Sequence, residues 1–249
     1  MTNAEKYFFS DFTRKNYRQI LKLAKSKYVF KFFNDDLSTD KFILWRHDVD
    51  YSPQSALALA RIEKEEGVYS TFFLLLHSEF YNLLERENTD CFKEILKYGH
   101  KLALHFDCSF YNVNSINQLE DRLQFESSFL SNIFESEINV FSFHNPFEFA
   151  LSCEAESYAG LINTYSSTFK KNIGYCSDSN GYWRYERLED VIRTEKHNKL
   201  QALTHPEWWQ EEVMSPKQRM LRCVQGRAEK NIQQYDQFLK KYQRENIDW

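Results

Sequence analysis

Four short stretches of this chain carry side chains able to hold a cation and move protons. The first is Arg46-His47-Asp48-Val49-Asp50. Residues two apart on an extended chain point the same way, so Asp48 and Asp50 share one face. Carboxylates that close repel each other, and a cation relieves the repulsion. One can then ligate a metal while the other takes a proton from the activated water. A capping aspartate next to a surface aspartate would leave the same pattern, so the pair alone does not decide. The second stretch runs from Gly99-His100 to His105-Phe106-Asp107. His105 and Asp107 are again two apart, and imidazole with carboxylate suits zinc and similar divalent ions. The third is Phe143-His144-Asn145-Pro146, and the fourth is Thr204-His205-Pro206-Glu207-Trp208-Trp209. A lone histidine is more often packed or hydrogen-bonded than ligating, but four such stretches reinforce one another. His100, His77 and His197 are expected to be structural or surface residues.

These stretches need elements to hold them. Apolar runs at Phe42–Trp45, Ser70–Leu76, Lys101–Phe106, Asn139–Phe143 and Leu200–Leu203 read as strands. Each of the four polar clusters directly follows one of them. Between the strands lie helical patterns. One runs from Thr13 to Lys27, and a second starts at Ser52-Pro53 and ends at Gly67. Another spans Asp90–Tyr98, closed by Gly99, and another carries Ile116, Leu119, Leu123, Leu130 and Ile133 on one face. Leu151–Arg193 reads as loops with short strands. Leu221, Val224, Ala228, Ile232, Tyr235 and Leu239 mark a long closing helix. Alternating strands and helices predict parallel strands and an α/β architecture, in which sites form at the carboxyl ends of strands.

Composition narrows the function classes. A chain of 249 residues, 42% hydrophobic and 27% charged, can bury a large core without disulfides. The formal net charge of −4 gives no footprint for nucleic acid. The charged N-terminus reads as no signal peptide, and Phe72–Leu76 is too short to span a bilayer, so no stable membrane insertion is expected. Five scattered cysteines without a CxxC fit reduced thiols in a cytoplasm.

The order of these motifs resembles that of the NodB-like polysaccharide deacetylases, carbohydrate esterase family four, from about Ile43 to Trp209. Arg46–Asp50 resembles the family's first motif, in which the first Asp is the general base and the second a metal ligand. That carries over to Asp48 and Asp50. Gly99–Asp107 resembles the second motif and assigns His105 as a metal ligand. Leu203-Thr204-His205 matches the Leu-x-His whose histidine is the general acid. Ser177–Trp183 stands for the motif whose Asp tunes that histidine and whose Trp lines the pocket, implying Asp178 and Trp183. The His-Phe-Asp and His-Pro-Glu-Trp-Trp endings are similar to a divergent branch found with genes for surface-polysaccharide biosynthesis.

Two positions depart from the family. Its second metal histidine falls on Ser109, and the arginine of its third motif is replaced by His144. The third ligand is then His144 or Asp107, and Asp48 is held by Arg46 or His144. Arg46, Asp107, Asp178 and Trp183 are expected at the substrate. Tyr182, Trp208 and Trp209 offer further aromatic faces for a sugar, or pack in the core.

The resemblance implies a distorted (β/α) barrel of seven or eight mainly parallel strands, of the NodB-homology type. Residues 1–249 would form a single domain, with a helical extension at about 1–40 and a closing helix at about 215–245. The implied activity is metal-dependent removal of an N-acetyl or other acyl group from an amino sugar. Zinc is the expected ion, and the amino sugar would belong to a nucleotide-linked or lipid-linked polysaccharide precursor in the cytoplasm. Two alternatives are a degenerate homologue that binds sugar without cleaving it and an amidohydrolase acting on a non-sugar amide. Oligomeric state is left open.

Overall fold

The computed structural model describes residues 1–247. Nine strands form one sheet: β1 (Val29–Lys31), β2 (Phe42–Val49), β3 (Thr71–Leu75), β4 (Lys101–Phe106), β5 (Val140–Phe143), β6 (Ser157–Tyr158), β7 (Leu161–Asn163), β8 (Gly174–Ser177) and β9 (Lys199–Thr204). Their order is β6-β7-β5-β4-β3-β2-β9-β8, with β1 paired to β2 off this path. All pairings are parallel except β6 with β7. The fold is α/β, with a curled, mostly parallel sheet forming an incomplete barrel. Among the described residues β6 and β8, the two ends of the path, are not paired.

Burial shows why the sheet curls. β2 is buried along its whole length, as a strand covered on both faces must be. Alternate side chains take opposite faces. Leu44 joins Phe73, Ala103, Val140 and Ile173 in a cluster enclosed by the sheet. Ile43 and Trp45 face the other way and pack with Leu200, Ala202 and the Tyr17-Ile20-Leu21 stripe of the helix Arg14–Lys27. Phe72, Leu74 and Leu104 face a second outer layer, with Ala56 and Ala60 of the helix Pro53–Glu66 and Phe92 of the helix Arg86–Lys97. The Ser52 hydroxyl caps the first of these two by accepting from the Ser55 N–H at 3.1 Å, and Gly67 ends it at a φ of 66°.

Several expectations need correcting. β2 does not stop at Trp45 but continues through Val49. Its polar residues stay in the strand because each finds a buried partner: Arg46 pairs with Asp48, and His47 Nε2 lies 2.6 Å from Glu63 Oε1. Residues 1–40 are not wholly helical. Val29–Lys31 is a strand, and Phe12 and Tyr17 are fully buried. The closing helix Pro216–Lys241 is present, but its apolar stripe is not buried. Val224, Ile232 and Tyr235 are exposed, and Arg219 is its one buried residue among the described residues. Arg227 and Lys230 instead tie this helix to Glu85 and Glu87 through ion pairs. No helix among the described residues is long and apolar enough to cross a membrane.

Candidate active site

Strand register brings the four polar stretches to one end of the sheet. His105 lies opposite Leu75 of β3 and Ser142 of β5. His47 lies opposite Thr204, so Asp48 stands level with His205. His144 follows β5 directly, and its backbone N–H donates to the Phe106 carbonyl at 2.8 Å.

Three ligand atoms converge. His105 Nε2 is 3.4 Å from Asp50 Oδ1, His144 Nδ1 is 3.6 Å from the same oxygen, and the two nitrogens are 3.1 Å apart. Bonds of about 2.1 Å at tetrahedral angles put ligand atoms about 3.4 Å apart, so this triangle fits one divalent ion. Asp50 Oδ1 is buried and has no hydrogen-bond partner among the described residues, an orphaned acceptor that a cation would satisfy. His105 Nδ1 is 2.7 Å from Ser142 Oγ. A proton on that nitrogen leaves the Nε2 lone pair facing the triangle. His144 Nε2 is 2.9 Å from the Asn145 amide. The contacting atom is Asn145 Nδ2, so His144 Nδ1 is left free to ligate only once that amide turns its oxygen toward Nε2. Burial and the neighbouring His105 hold the His144 pKa below its ordinary value, which favours the neutral, ligating form. Burial works to raise the Asp50 pKa, but the neighbouring His105, His205 and His144 outweigh it and bring it below its ordinary value.

Asp48 is gripped from behind. Arg46 Nε and Nη2 each donate to its carboxylate at 2.7 Å, while Arg46 Nη1 donates to Thr164 Oγ1 at 3.3 Å. Burial would raise the Asp48 pKa, but the Arg46 charge and hydrogen bonds, with His105 and His205, bring it below the ordinary value. Of the two holders the sequence allowed, Arg46 is the one bonded to Asp48. Asp48 Oδ2 lies 3.5 Å from His105 Nε2, at the edge of the ligand triangle.

On the far side stands His205. Its Nδ1 is 2.7 Å from Asp178 Oδ1, and its Nε2 is 3.9 Å from Asp50 Oδ2. Asp178 also accepts from the His205 backbone N–H at 3.0 and 3.1 Å and from Trp209 Nε1 at 3.1 Å. Burial alone would lower the His205 pKa. The Asp178 hydrogen bond and the charges of Asp178, Asp50 and Glu207 outweigh it and raise the value to about 10. Near neutrality His205 is therefore an imidazolium with its Nε2 proton turned toward the site.

No protein-family model matches this chain, and no curated protein matches it. Among solved structures it is similar to a mutant of a family 4 carbohydrate esterase pseudoenzyme with restored enzymatic activity, at 15% identity and a TM-score of 0.46, over 78% of this chain and 64% of that one. It is also similar to the family 4 carbohydrate esterase from Streptomyces lividans, at 14% identity and 0.45, over 78% of this chain and 91% of that one. A third is the chitin deacetylase from Colletotrichum lindemuthianum, at 15% and 0.43, over 74% and 81%. The chain thus spans less than two thirds of the first of these.

All four expected substrate residues lie elsewhere, Arg46 being fully buried behind Asp48. Trp183 does not line the site. Its ring stacks on Phe12 at 5.0 Å, and its Nε1 donates to Asp11 Oδ2 at 2.9 Å, because the N-terminal segment folds over it. Asp178 is fully buried behind His205 and orients it, as the motif implied, instead of meeting substrate. Asp107 caps a turn, accepting from the N–H groups of Ser109 at 2.8 Å and Phe110 at 3.3 Å, which draws it away from the ligand triangle. Trp208 and Trp209 are core residues, while Tyr182 packs edge-on to Tyr7. His100 is structural, accepting from the Ser70 N–H at 3.2 Å.

Two residues escaped the sequence reading. Ser142 orients His105, and its position two before His144 on one strand was the available signal. Glu207 is fully buried with both carboxylate oxygens unpartnered among the described residues, and burial raises its pKa well above the ordinary value. It sits in the His-Pro-Glu-Trp-Trp motif, but only burial makes it unusual.

Proposed function

We propose that this chain is a metal-dependent hydrolase that removes an N-acyl group from an amino sugar. One observation carries the reading: the Asp50-His105-His144 triangle has the Arg46-bound Asp48 carboxylate on one side and the Asp178-bound His205 ring on the other. A pure sugar-binding homologue has no use for that acid–base pair. Asp50, His105 and His144 would hold the cation, with zinc the ion best suited to one carboxylate and two imidazoles. When bound there, such an ion supplies Lewis acidity and a water of lowered pKa.

The chain's own residues do the proton work. Asp48, kept ionised by Arg46, accepts the proton as water oxygen bonds to the acyl carbon. His205, kept protonated by Asp178, donates to the amide nitrogen as the carbon–nitrogen bond breaks. The products are a carboxylic acid and a free amine. The resemblance of motif order favours an amino sugar in a nucleotide-linked or lipid-linked polysaccharide precursor met in the cytoplasm.

The deciding experiment loads the protein with zinc and follows carboxylate release from N-acylated hexosamines and their nucleotide- and lipid-linked forms. Release by the parent chain is expected to fall by at least about 100-fold in Asp48→Asn with zinc content unchanged. Full zinc occupancy with no release from any substrate would overturn the reading.

A further inference from the structure

The three ligands are not held alike. His105 has Ser142 behind its ring, and His144 has Asn145 beside its own. Asp50 lacks such support: its Oδ1 is buried and has no hydrogen-bond partner among the described residues. An aspartate side chain is short and has few torsions to absorb a shift of the backbone, so its carboxylate follows the main chain closely. The sheet does not hold that main chain. β2 pairs with β9 only as far as His47 and with β3 only as far as Val49, so Asp50 lies past both ladders.

The segment Ser78–Tyr81, just after β3, takes over. Ser78 Oγ donates to the Asp50 carbonyl at 2.8 Å. The same oxygen accepts the Phe80 N–H at 3.1 Å, which leaves the hydroxyl proton for Asp50. Tyr81 is buried, and its hydroxyl donates to the Val49 carbonyl at 2.8 Å. The Phe80 ring lies 4.1 Å from the Tyr51 ring. Val49, Asp50 and Tyr51 are consecutive, and each is held by one residue of this segment. Tyr51 passes the contact on to Trp208, at 5.6 Å between rings, in the turn that follows His205.

We infer that Ser78, Phe80 and Tyr81 are positioning residues for Asp50, and that their grip on its main chain sets the affinity of the site for a divalent cation. This rests on the metal-dependent reading above. None of the three contacts goes to the carboxylate itself. With the grip in place, Asp50 Oδ1 stands 3.4 and 3.6 Å from the two imidazole nitrogens. Without it, cation binding must also order the backbone at the end of β2, and affinity falls by that cost.

The test compares the parent protein with Ser78→Ala, Ser78→Thr and Tyr81→Phe. Zinc dissociation constants are measured by competition with a chromophoric chelator, and melting of the metal-free proteins by calorimetry. Losing a support behind a metal ligand typically weakens binding about 10–100-fold, so Ser78→Ala and Tyr81→Phe should each bind zinc at least about tenfold more weakly. Ser78→Thr keeps the hydroxyl and should match the parent. In cobalt-loaded Ser78→Ala the visible absorption bands should change, because they follow coordination geometry. Ser78 is half-buried, so Ser78→Ala keeps the proposal testable if Tyr81→Phe does not fold. A purely structural role would lower the metal-free Tm of Ser78→Ala while leaving its zinc affinity and cobalt spectrum as in the parent, and that result overturns the inference. Hydrolysis is read separately. Acyl release by the parent with zinc affinity unmoved in Ser78→Ala removes the grip and leaves the hydrolase. Weakened zinc binding in Ser78→Ala, with no amide cleaved by the parent, keeps the grip and removes the hydrolase.

Discussion

At the scale of single residues, Asp178 decides how His205 behaves. Its carboxylate meets both the ring and the backbone of that residue, so it fixes position and charge together. In Asp178→Asn the raised His205 pKa of about 10 should fall back toward the free-imidazole value. The basic limb of the kcat profile should move down by more than about one pH unit with zinc content unchanged, as rate measurements across pH would show. The sign follows from linkage. A cation raised above its unfolded value stabilises fully below about 6.5, and that contribution is lost as pH rises through the folded value. A metal at Asp50 cancels part of that carboxylate's pull, so His205 should titrate lower in the loaded protein than in the unloaded one, as NMR titration of its ring would show. Arg46 is the counterpart on the other side. Arg46→Met leaves Asp48 buried and uncompensated, with an expected loss of about 3–5 kcal/mol in urea unfolding. Removing both charges in Arg46→Met with Asp48→Leu should recover most of it.

Elements bear the burden of alignment. β2 carries Asp48 and ends one residue before Asp50, and β9 ends one residue before His205, so the register between them sets the spacing of base and acid. His47 locks that register. Its Nδ1 is 2.7 Å from Thr204 Oγ1 and its Nε2 is 2.6 Å from Glu63, which also accepts from Ser70 Oγ at 2.5 Å and from Tyr17. β8 is held by a close approach. A Cβ at Gly174 would lie 2.2 Å from His197 Cγ. Gly174→Ala should therefore cost about 1–3 kcal/mol, read as a lowered Tm. Adding His197→Gly should relieve it, since the His197 Cβ would itself lie 2.7 Å from the new methyl. A Gly174→Ala protein as stable as its parent would show that β8 can shift freely.

For the whole molecule, metal binding and folding are linked, because the three ligand atoms come from separate strand ends that exist together only in the folded chain. Zinc at 100 times its dissociation constant should add about 2.7 kcal/mol. In a domain of this size that raises Tm by about 5–10 °C. The rise should vanish with a chelator and in Asp50→Ala, as calorimetry and elemental analysis would show. A zinc response undiminished in Asp50→Ala would place the metal elsewhere.

The sequence by itself determined the strand–helix alternation, most strand positions and the four polar strand ends, because two-residue alternation and helix caps are local signals. The helix starts at Thr13 and Ser52 are written in single hydroxyl residues. It put His144 ahead of Asp107 as third ligand without excluding the latter, and it put Trp183 at the substrate. Only the tertiary structure chose between them, since a side chain's partner is set by what other segments bring near it. The turn at Ser109 claims Asp107, the Phe12 ring claims Trp183, and the edge of β5 delivers His144. Burial decided the rest. It set Arg46 behind Asp48, and it left β6 and β8, the two ends of the sheet, unpaired among the described residues.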